Sequence, residues 1–194
     1  MAHDCQVFEH IAACLEYPSA ETPRQARLVA EMLHAQEGLT DGGATAATAL
    51  ANELESALPG EPEERYTTLF DLKPVCTMNL GYHLFGDTYQ RGAFLAELAG
   101  ELLRRNVEYT HDLPDFLPTL LRLLTQLDEL EDQRLLVYAI LIPALDAVNQ
   151  ALKESPGPWP DLLRELPALL STLVPIGDAM IDVPTRPLEV LPNA

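Results

Sequence analysis

His83 and Asp87 are the two side chains whose types and spacing most resemble a metal-binding or acid–base pair. On one continuous helix, an imidazole and a carboxylate four residues apart share a face, as such a site requires. Gly86 lies between them and interrupts the helix, and Asp87 or Thr88 is the expected N-cap of the next one. The other histidines are scattered, so no third ligand is evident. A small metal-dependent hydrolase using this pair stays open as an alternative.

The patterns that organise common enzyme sites are absent from the sequence. It contains no G-x-x-x-x-G-K-[ST] phosphate loop, no G-x-S-x-G nucleophile elbow, no G-x-G-x-x-G and no H-E-x-x-H. Cys5, Cys14 and Cys76 include no C-x-x-C pair, and their odd number does not suggest a disulfide framework, so we expect reduced, buried thiols. The sequence therefore predicts a protein that is not an enzyme.

Polar side chains collect instead where helices begin or end. They are Tyr82, His83, Asp87 and Arg91 around Gly86, and Asp112 and Asp115 around Pro114. For Asp87 and Arg91, helix capping and an internal pair between Arg91 and a carboxylate are sufficient explanations. For the other four, a role in a surface groove fits as well as capping, because binding residues are often placed on the loops of a rigid scaffold.

Helical periodicity predicts a single all-α domain. Apolar residues make up 47% of the 194-residue chain and aromatic residues only 6%, which favours helices packed through aliphatic side chains. The predicted helices cover residues 4–16, 22–36, 44–58, 62–71, 87–106, 115–128, 133–153 and 160–173, with a short apolar piece at 80–85. Asp115 is the expected N-cap of the helix that carries Pro118 in its first turn. Pro143 should kink the long apolar helix.

The two ends of the chain and its apolar runs predict a cytoplasmic protein. Residues 1–174 form the predicted helical domain, and residues 175–194, with four prolines, an extended C-terminal tail. The N-terminus lacks the charged and apolar regions of a secretory signal. The longest apolar run, residues 135–145, is too short to span a bilayer. We therefore expect no membrane insertion.

The formal net charge of −18, from 12 Lys and Arg against 30 Asp and Glu, restricts the class of partner. Nucleic-acid binding depends on cations that displace counterions from phosphates, so nucleic acid and anionic membranes are excluded as expected partners. A basic peptide is favoured, because an acidic groove attracts it and carboxylates pair bidentately with arginine.

Three short motifs lie in the middle of the chain: YTTLFD at residues 66–71, YHLFGDTYQRG at 82–92 and LPDFLP at 113–118. In this order and spacing they resemble the nitrate reductase delta-subunit (NarJ) branch of the TorD-like redox enzyme maturation chaperones. The pattern of that branch is roughly aromatic-x-x-x-F-D, E-H-x-x-G-[DE]-[ST]-x-x-R-G and L-P-D-[HY]-L-P. Tyr82 departs from it by replacing a Glu, and Phe116 stands where the wider family often has a His.

The resemblance implies a single-domain helical bundle of the TorD-like chaperone type and a cytosolic assembly factor. Such a protein binds the N-terminal leader of a molybdenum oxidoreductase catalytic subunit, typically a twin-arginine leader or its remnant, until molybdopterin guanine dinucleotide is inserted. It holds no cofactor permanently. The candidate peptide-binding residues are Tyr66, Phe70, Tyr82, His83, Asp87, Arg91, Asp112, Leu113, Pro114, Asp115 and Phe116, of which Phe116 is a candidate cover for an apolar anchor of the peptide.

Several alternatives remain at this point. The client is expected to be of the nitrate reductase type, but a selenate, chlorate or hydrocarbon molybdoenzyme fits the motifs too. Cofactor-delivery proteins are further candidate partners, the chain is expected to be a monomer or weak dimer, and a structural adaptor that stays in the complex is another class of function. Substituting Asp112 or Asp115 with Asn is expected to weaken leader binding and reduce its salt dependence.

Overall fold

Helices follow one another along nearly all of the chain that the computed structural model describes, residues 4–36, 41–72, 76–109 and 113–176. They are α1 (Val7–Leu15), α2 (Thr22–Ala35), α3 (Asp41–Ser56), α4 (Glu61–Tyr66), α5 (Leu80–Phe85), α6 (Tyr89–Arg104), α7 (Leu117–Gln126), α8 (Leu130–Leu135), α9 (Ile142–Ala151) and α10 (Pro158–Leu173). A 3₁₀ turn precedes α1, the π-helical turn Thr67–Asp71 continues α4, and the π-helical segment Leu136–Leu141 joins α8 to α9. The predicted all-α fold is confirmed.

The core is built around α1, which packs against α2 and α7, while α3 packs against α2 and α10. Two distant aromatic residues bond the last carbonyls of α1, which have no partner within the helix. The Trp159 indole N–H donates to the Cys14 carbonyl over 2.9 Å, and the Tyr66 hydroxyl donates to the Leu15 carbonyl over 2.8 Å. Both aromatic side chains are buried, so they fix α4 and α10 to the same end of α1.

The predicted long apolar helix is observed as α8, the π-helical segment and α9 in continuous succession. Pro143 lies in the first turn of α9, directly after the π-helical segment. A proline inside a helix lacks an N–H and meets the carbonyl four residues earlier, and a wider turn just before it relieves both problems. Among the described residues, this helix alone has the length and apolar composition to cross a membrane, and it packs against α5, α7 and α10.

The helices begin and end within a few residues of their predicted boundaries. Helix α3 begins at Asp41, three residues before the expected start, and α6 ends at Arg104.

The three cysteines are buried, and burial raises the pKa of the Cys14 thiol to about 12. Asp112 and residues 177–194 of the predicted tail lie outside the described residues. The division into a helical domain and a tail therefore stays a prediction.

Candidate functional site

A cavity of about 370 Å³ lies where the first two sequence motifs meet, and we call it the Arg91 pocket. Its lining consists of Phe70, Asp71, Thr77, Asn79, Tyr82 and Arg91. These residues come from the π-helical turn after α4, the loop before α5, α5 itself and the first turn of α6. One wall is aromatic, and the Arg91 guanidinium carbon lies 5.9 Å from the centre of the Tyr82 ring.

The third motif reaches this site through Asp115, which is fully buried behind Arg91. Its carboxylate Oδ2 accepts the Gly81 N–H over 3.0 Å and lies 3.5 Å from Nη2 of Arg91. Its backbone carbonyl accepts the Leu80 N–H over 2.8 Å. Asp115 therefore bonds two of the first N–H groups of α5, which have no partner within that helix.

The prediction that Asp115 caps α7 is wrong. Phe116 occupies the N-cap position of α7, and no side chain caps that helix. The Leu117 N–H at its start donates instead to the Met78 carbonyl over 2.8 Å, beside a single antiparallel bridge between Asn79 and Phe116. The segment after Pro114 thus runs against the segment before α5, and this pairing points the Asp115 side chain at a different helix from its own.

Some of the buried polar atoms around the Arg91 pocket lack a hydrogen-bond partner among the described residues. Asp115 Oδ1, Arg91 Nε and Asn79 Oδ1 have no hydrogen-bond partner among the described residues. Burial raises the pKa of the Asp115 carboxyl, and the opposing effect of the Arg91 charge is smaller. Since unmatched buried polar atoms are uncommon in folded proteins, the site retains unused hydrogen-bonding capacity.

His83 and Asp87 do not form the metal or acid–base pair that their spacing suggested. Gly86, with a φ of +63°, ends α5 between them. The His83 Nε2 donates to the Thr77 carbonyl over 2.7 Å, and Asp87 is exposed. In the described part of the chain, no group of three His, Cys, Asp or Glu side chains is placed to hold a metal ion. Nothing in this geometry supports the hydrolase alternative.

Of the two residues predicted to begin α6, Asp87 and Thr88, only Thr88 occupies the N-cap position. The N-cap position is held by Thr88, whose hydroxyl donates to the Phe85 carbonyl over 3.0 Å, and no side chain caps the helix. The capping role expected of Asp87 is therefore wrong. The internal pair expected of Arg91 does form, and its partner is Asp115.

The remaining candidate residues divide between core and surface. Tyr66 and Phe70 are each only 4% exposed, with ring centres 4.9 Å apart, and Phe70 also reaches the pocket lining. Leu113 is exposed, whereas Phe116 is half-buried against the core. The fold thus gathers Phe70, Tyr82, Arg91 and Asp115 at one place, and leaves Asp87 and Leu113 on the surface.

Sequence reasoning missed Asp71, Thr77 and Asn79, which line the same pocket. Asp71 ends the YTTLFD motif, so its place at the end of a buried aromatic turn was a usable signal. Thr77 and Asn79 lie in a short stretch without a clear period, where nothing local shows which side chains face a cavity.

Residues 36–164 match the family described as nitrate reductase delta subunit, and the match includes the whole Arg91 pocket and Asp115. Two relatives are each called nitrate reductase molybdenum cofactor assembly chaperone NarJ, one from Escherichia coli strain K12 and one from Escherichia coli O157:H7. Each is 26% identical over 122 residues, which cover 62% of this chain and 52% of the relative.

The chain therefore spans about half the length of the curated relatives that it matches. The family match begins at residue 36, directly after α2, ends within α10 and includes all three motifs. It covers well over half of the chain. On this match, the chain belongs to the nitrate reductase delta subunit family.

Proposed function

We propose that this protein is a cytoplasmic assembly chaperone, and not an enzyme, whose client is the catalytic subunit of a nitrate reductase. It binds the N-terminal segment of that subunit and assists the insertion of the molybdenum cofactor, in the form of molybdopterin guanine dinucleotide, without retaining it. Family membership and the assembly role named for the two relatives support this proposal. The protein acts as a monomer or a weak dimer.

One observation carries the peptide-binding part of the proposal: the Arg91 pocket joins an aromatic wall to a carboxylate that has no ion-pair partner among the described residues. Asp71 is exposed at the pocket and forms no ion pair with any described residue. Its carboxylate is therefore available to a guanidinium or ammonium group of a peptide. The half-buried Tyr82 offers ring surface for an apolar or cationic side chain, and the buried Phe70 ring completes the aromatic wall of the pocket.

The overall charge supports the same partner. A chain with a formal net charge of −18 attracts a basic segment over the range of the Debye length, about 10 Å at 0.1 M salt. That attraction raises the association rate more than it raises the final affinity. Binding should therefore weaken as the salt concentration increases.

The test is isothermal titration with a synthetic peptide of about twenty residues from the N-terminus of the candidate nitrate reductase catalytic subunit, at low and at moderate salt. We expect a Kd near or below 1 μM, or about 8 kcal/mol, that weakens with salt. Asp71→Asn should weaken binding by up to about fivefold and reduce the salt dependence. Tyr82→Ala should weaken it by about tenfold, because an aromatic contact is lost.

The matched control is Asp146→Asn, which removes one exposed charge from α9 at a position that lines no pocket described here. It should bind like the unsubstituted chain. No binding of the peptide at either salt concentration would contradict the peptide-binding part of the proposal. Molybdenum content of the client purified from cells lacking this protein tests the assembly role separately, since a normal content would contradict it.

A further inference from the structure

A second cavity, of about 620 Å³, lies beside the same helix as the Arg91 pocket, and we call it the Glu64 pocket. Its walls come from α4, the π-helical turn and the loop before α10: Glu61, Glu64, Arg65, Thr68, Leu69 and the Pro156–Gly157 pair. None of these residues belongs to the candidate set that the sequence motifs indicated.

The two pockets are adjacent along the chain. Thr68 and Leu69 line the Glu64 pocket, and the next two residues, Phe70 and Asp71, line the Arg91 pocket. All four belong to one π-helical turn. Because a helix with its side chains is about 10–12 Å across, a bound segment passing over this turn reaches from one pocket to the other within about four extended residues.

The charges of the Glu64 pocket favour a cation. The cation in its lining, Arg65, is already paired with Glu53. Glu61 accepts the Leu58 N–H over 2.9 Å, whereas Glu64 is exposed and forms no ion pair with any described residue. Glu61 and Glu64 outnumber Arg65 in the lining, so the pocket carries an excess of negative charge beside the half-buried Leu69 side chain.

We propose that the Glu64 pocket is a second subsite for the client segment, where Glu64 pairs with a cationic side chain and Leu69 contacts an apolar neighbour. This inference rests on the proposed function, because it assigns a further part of the same peptide to a named surface. The peptide then crosses the π-helical turn, with Asp71 and Glu64 recognising two different positive charges. Pro156 and Gly157 bound the far wall of the subsite.

The experiment repeats the titration with the same synthetic peptide and with versions in which each Lys or Arg is replaced singly by Ala. Glu64→Gln should weaken binding roughly two- to fivefold at low salt, and Glu64→Lys should weaken it by more. At one cationic position of the peptide, replacement by Ala should no longer weaken binding to the Glu64→Gln variant. The same replacement should still weaken binding to Asp71→Asn. Combined, the two substitutions should have additive effects, because the pairs they remove are separate.

Glu97→Gln is the matched control, since Glu97 is exposed on α6, lines neither pocket and forms no ion pair with any described residue. If the unsubstituted chain binds the peptide and Glu64→Gln behaves like Glu97→Gln, the second subsite is refuted while the proposed function stands. If the unsubstituted chain does not bind the peptide, the peptide-binding part of the proposed function fails, and this inference fails with it. Unchanged thermal unfolding of the variants shows that lost binding is not lost folding.

Discussion

Two arginines of this molecule are similarly exposed but differently matched. The side chain of Arg122 on α7 is 23% exposed, and that of Arg91 on α6 is 19% exposed. Arg122 donates from Nε to Glu9 and from Nη2 to Glu16, each over 3.0 Å, and so joins α7 to α1. Arg91 lies 3.5 Å from Asp115, and its Nε has no partner among the described residues.

The carboxylates that these two arginines contact differ in their exposure to solvent. Glu9 and Glu16 are 44% and 42% exposed, so water can replace Arg122 if it is lost. The hydrogen bonds that Arg122 donates to Glu16 and Glu9 raise the pKa of Arg122, as expected for a guanidinium with well-placed acceptors. Asp115 is fully buried, and its pKa is raised because burial outweighs the attraction of Arg91. The Arg122 pairs, which have the better geometry, join two helices of the core. The longer Arg91 pair lies beside a cavity.

The largest expected effect tests which arginine matters more for stability. Arg91→Met leaves a buried carboxylate without its counter-ion, so we expect the free energy of unfolding to fall by about 3 kcal/mol. Arg122→Met removes more hydrogen bonds but leaves two hydrated carboxylates, so the expected loss is about 1 kcal/mol. Urea denaturation of both variants at neutral pH measures the difference. A smaller loss for Arg91→Met than for Arg122→Met would show that the number of hydrogen bonds outweighs the burial of the partner.

The next prediction concerns the space that the Asp115 carboxylate occupies. A Cβ on Gly81 would lie 2.7 Å from Asp115 Oδ2 and 3.1 Å from a Phe94 ring carbon, so Gly81→Ala must displace the carboxylate or the helix. We expect a loss of about 2 kcal/mol in the free energy of unfolding. Gly92→Ala is the matched control, because nothing lies within 4 Å of its added Cβ. Within α6 it should gain up to about 1 kcal/mol, and a similar gain in Gly81→Ala would refute the close contact.

The same contacts show how far the sequence predicted this site. The bounds of the short apolar piece that forms α5, the break at Gly86 and the strong helix after it were predicted correctly, because each depends on residues within a few positions. The bond from the Gly81 N–H to Asp115 spans 34 residues, and the bond from the Tyr66 hydroxyl to Leu15 spans 51. Neither bond can be predicted from the residues close to its donor or its acceptor in the sequence. Asp115 precedes a helix start by two residues, so local reasoning assigned it to α7.

The motifs were more informative than periodicity about which residues gather. All three motifs contribute to the Arg91 pocket or to the carboxylate behind it. The expected Arg91 ion pair was confirmed, but its partner followed only from the packing of α7 against the segment before α5. The sequence analysis expected Asp115→Asn to weaken peptide binding through the charge of a groove, and the structure gives this substitution a different physical effect. The Asp115 carboxylate is fully buried and pairs with Arg91, so it does not face a charged peptide in solution. The main effect of Asp115→Asn should therefore be on the stability of the fold.

The smallest expected effect is a pH dependence of that substitution. In Asp115→Asn, the amide oxygen can still accept the Gly81 N–H, and the ionisation is removed. The folded pKa of Asp115 is raised above its unfolded value of about 3.9, so the folded chain holds the proton more tightly than the unfolded chain. The stability that the neutral carboxyl contributes is therefore fully present below about pH 3.9, and is lost as the pH rises through the raised folded pKa.

The difference in free energy of unfolding between the unsubstituted chain and Asp115→Asn should accordingly move in favour of the variant as the pH increases above about 4. Subtracting the two curves cancels the repulsion among the other carboxylates, which both proteins share. Urea denaturation at several pH values between about 3.5 and 7 measures the change. A shift in favour of the unsubstituted chain would mean that Arg91 lowers the pKa of Asp115 overall. The looser of the two arginine pairs would then stabilise its carboxylate as the Arg122 pair does, and the contrast between them would disappear.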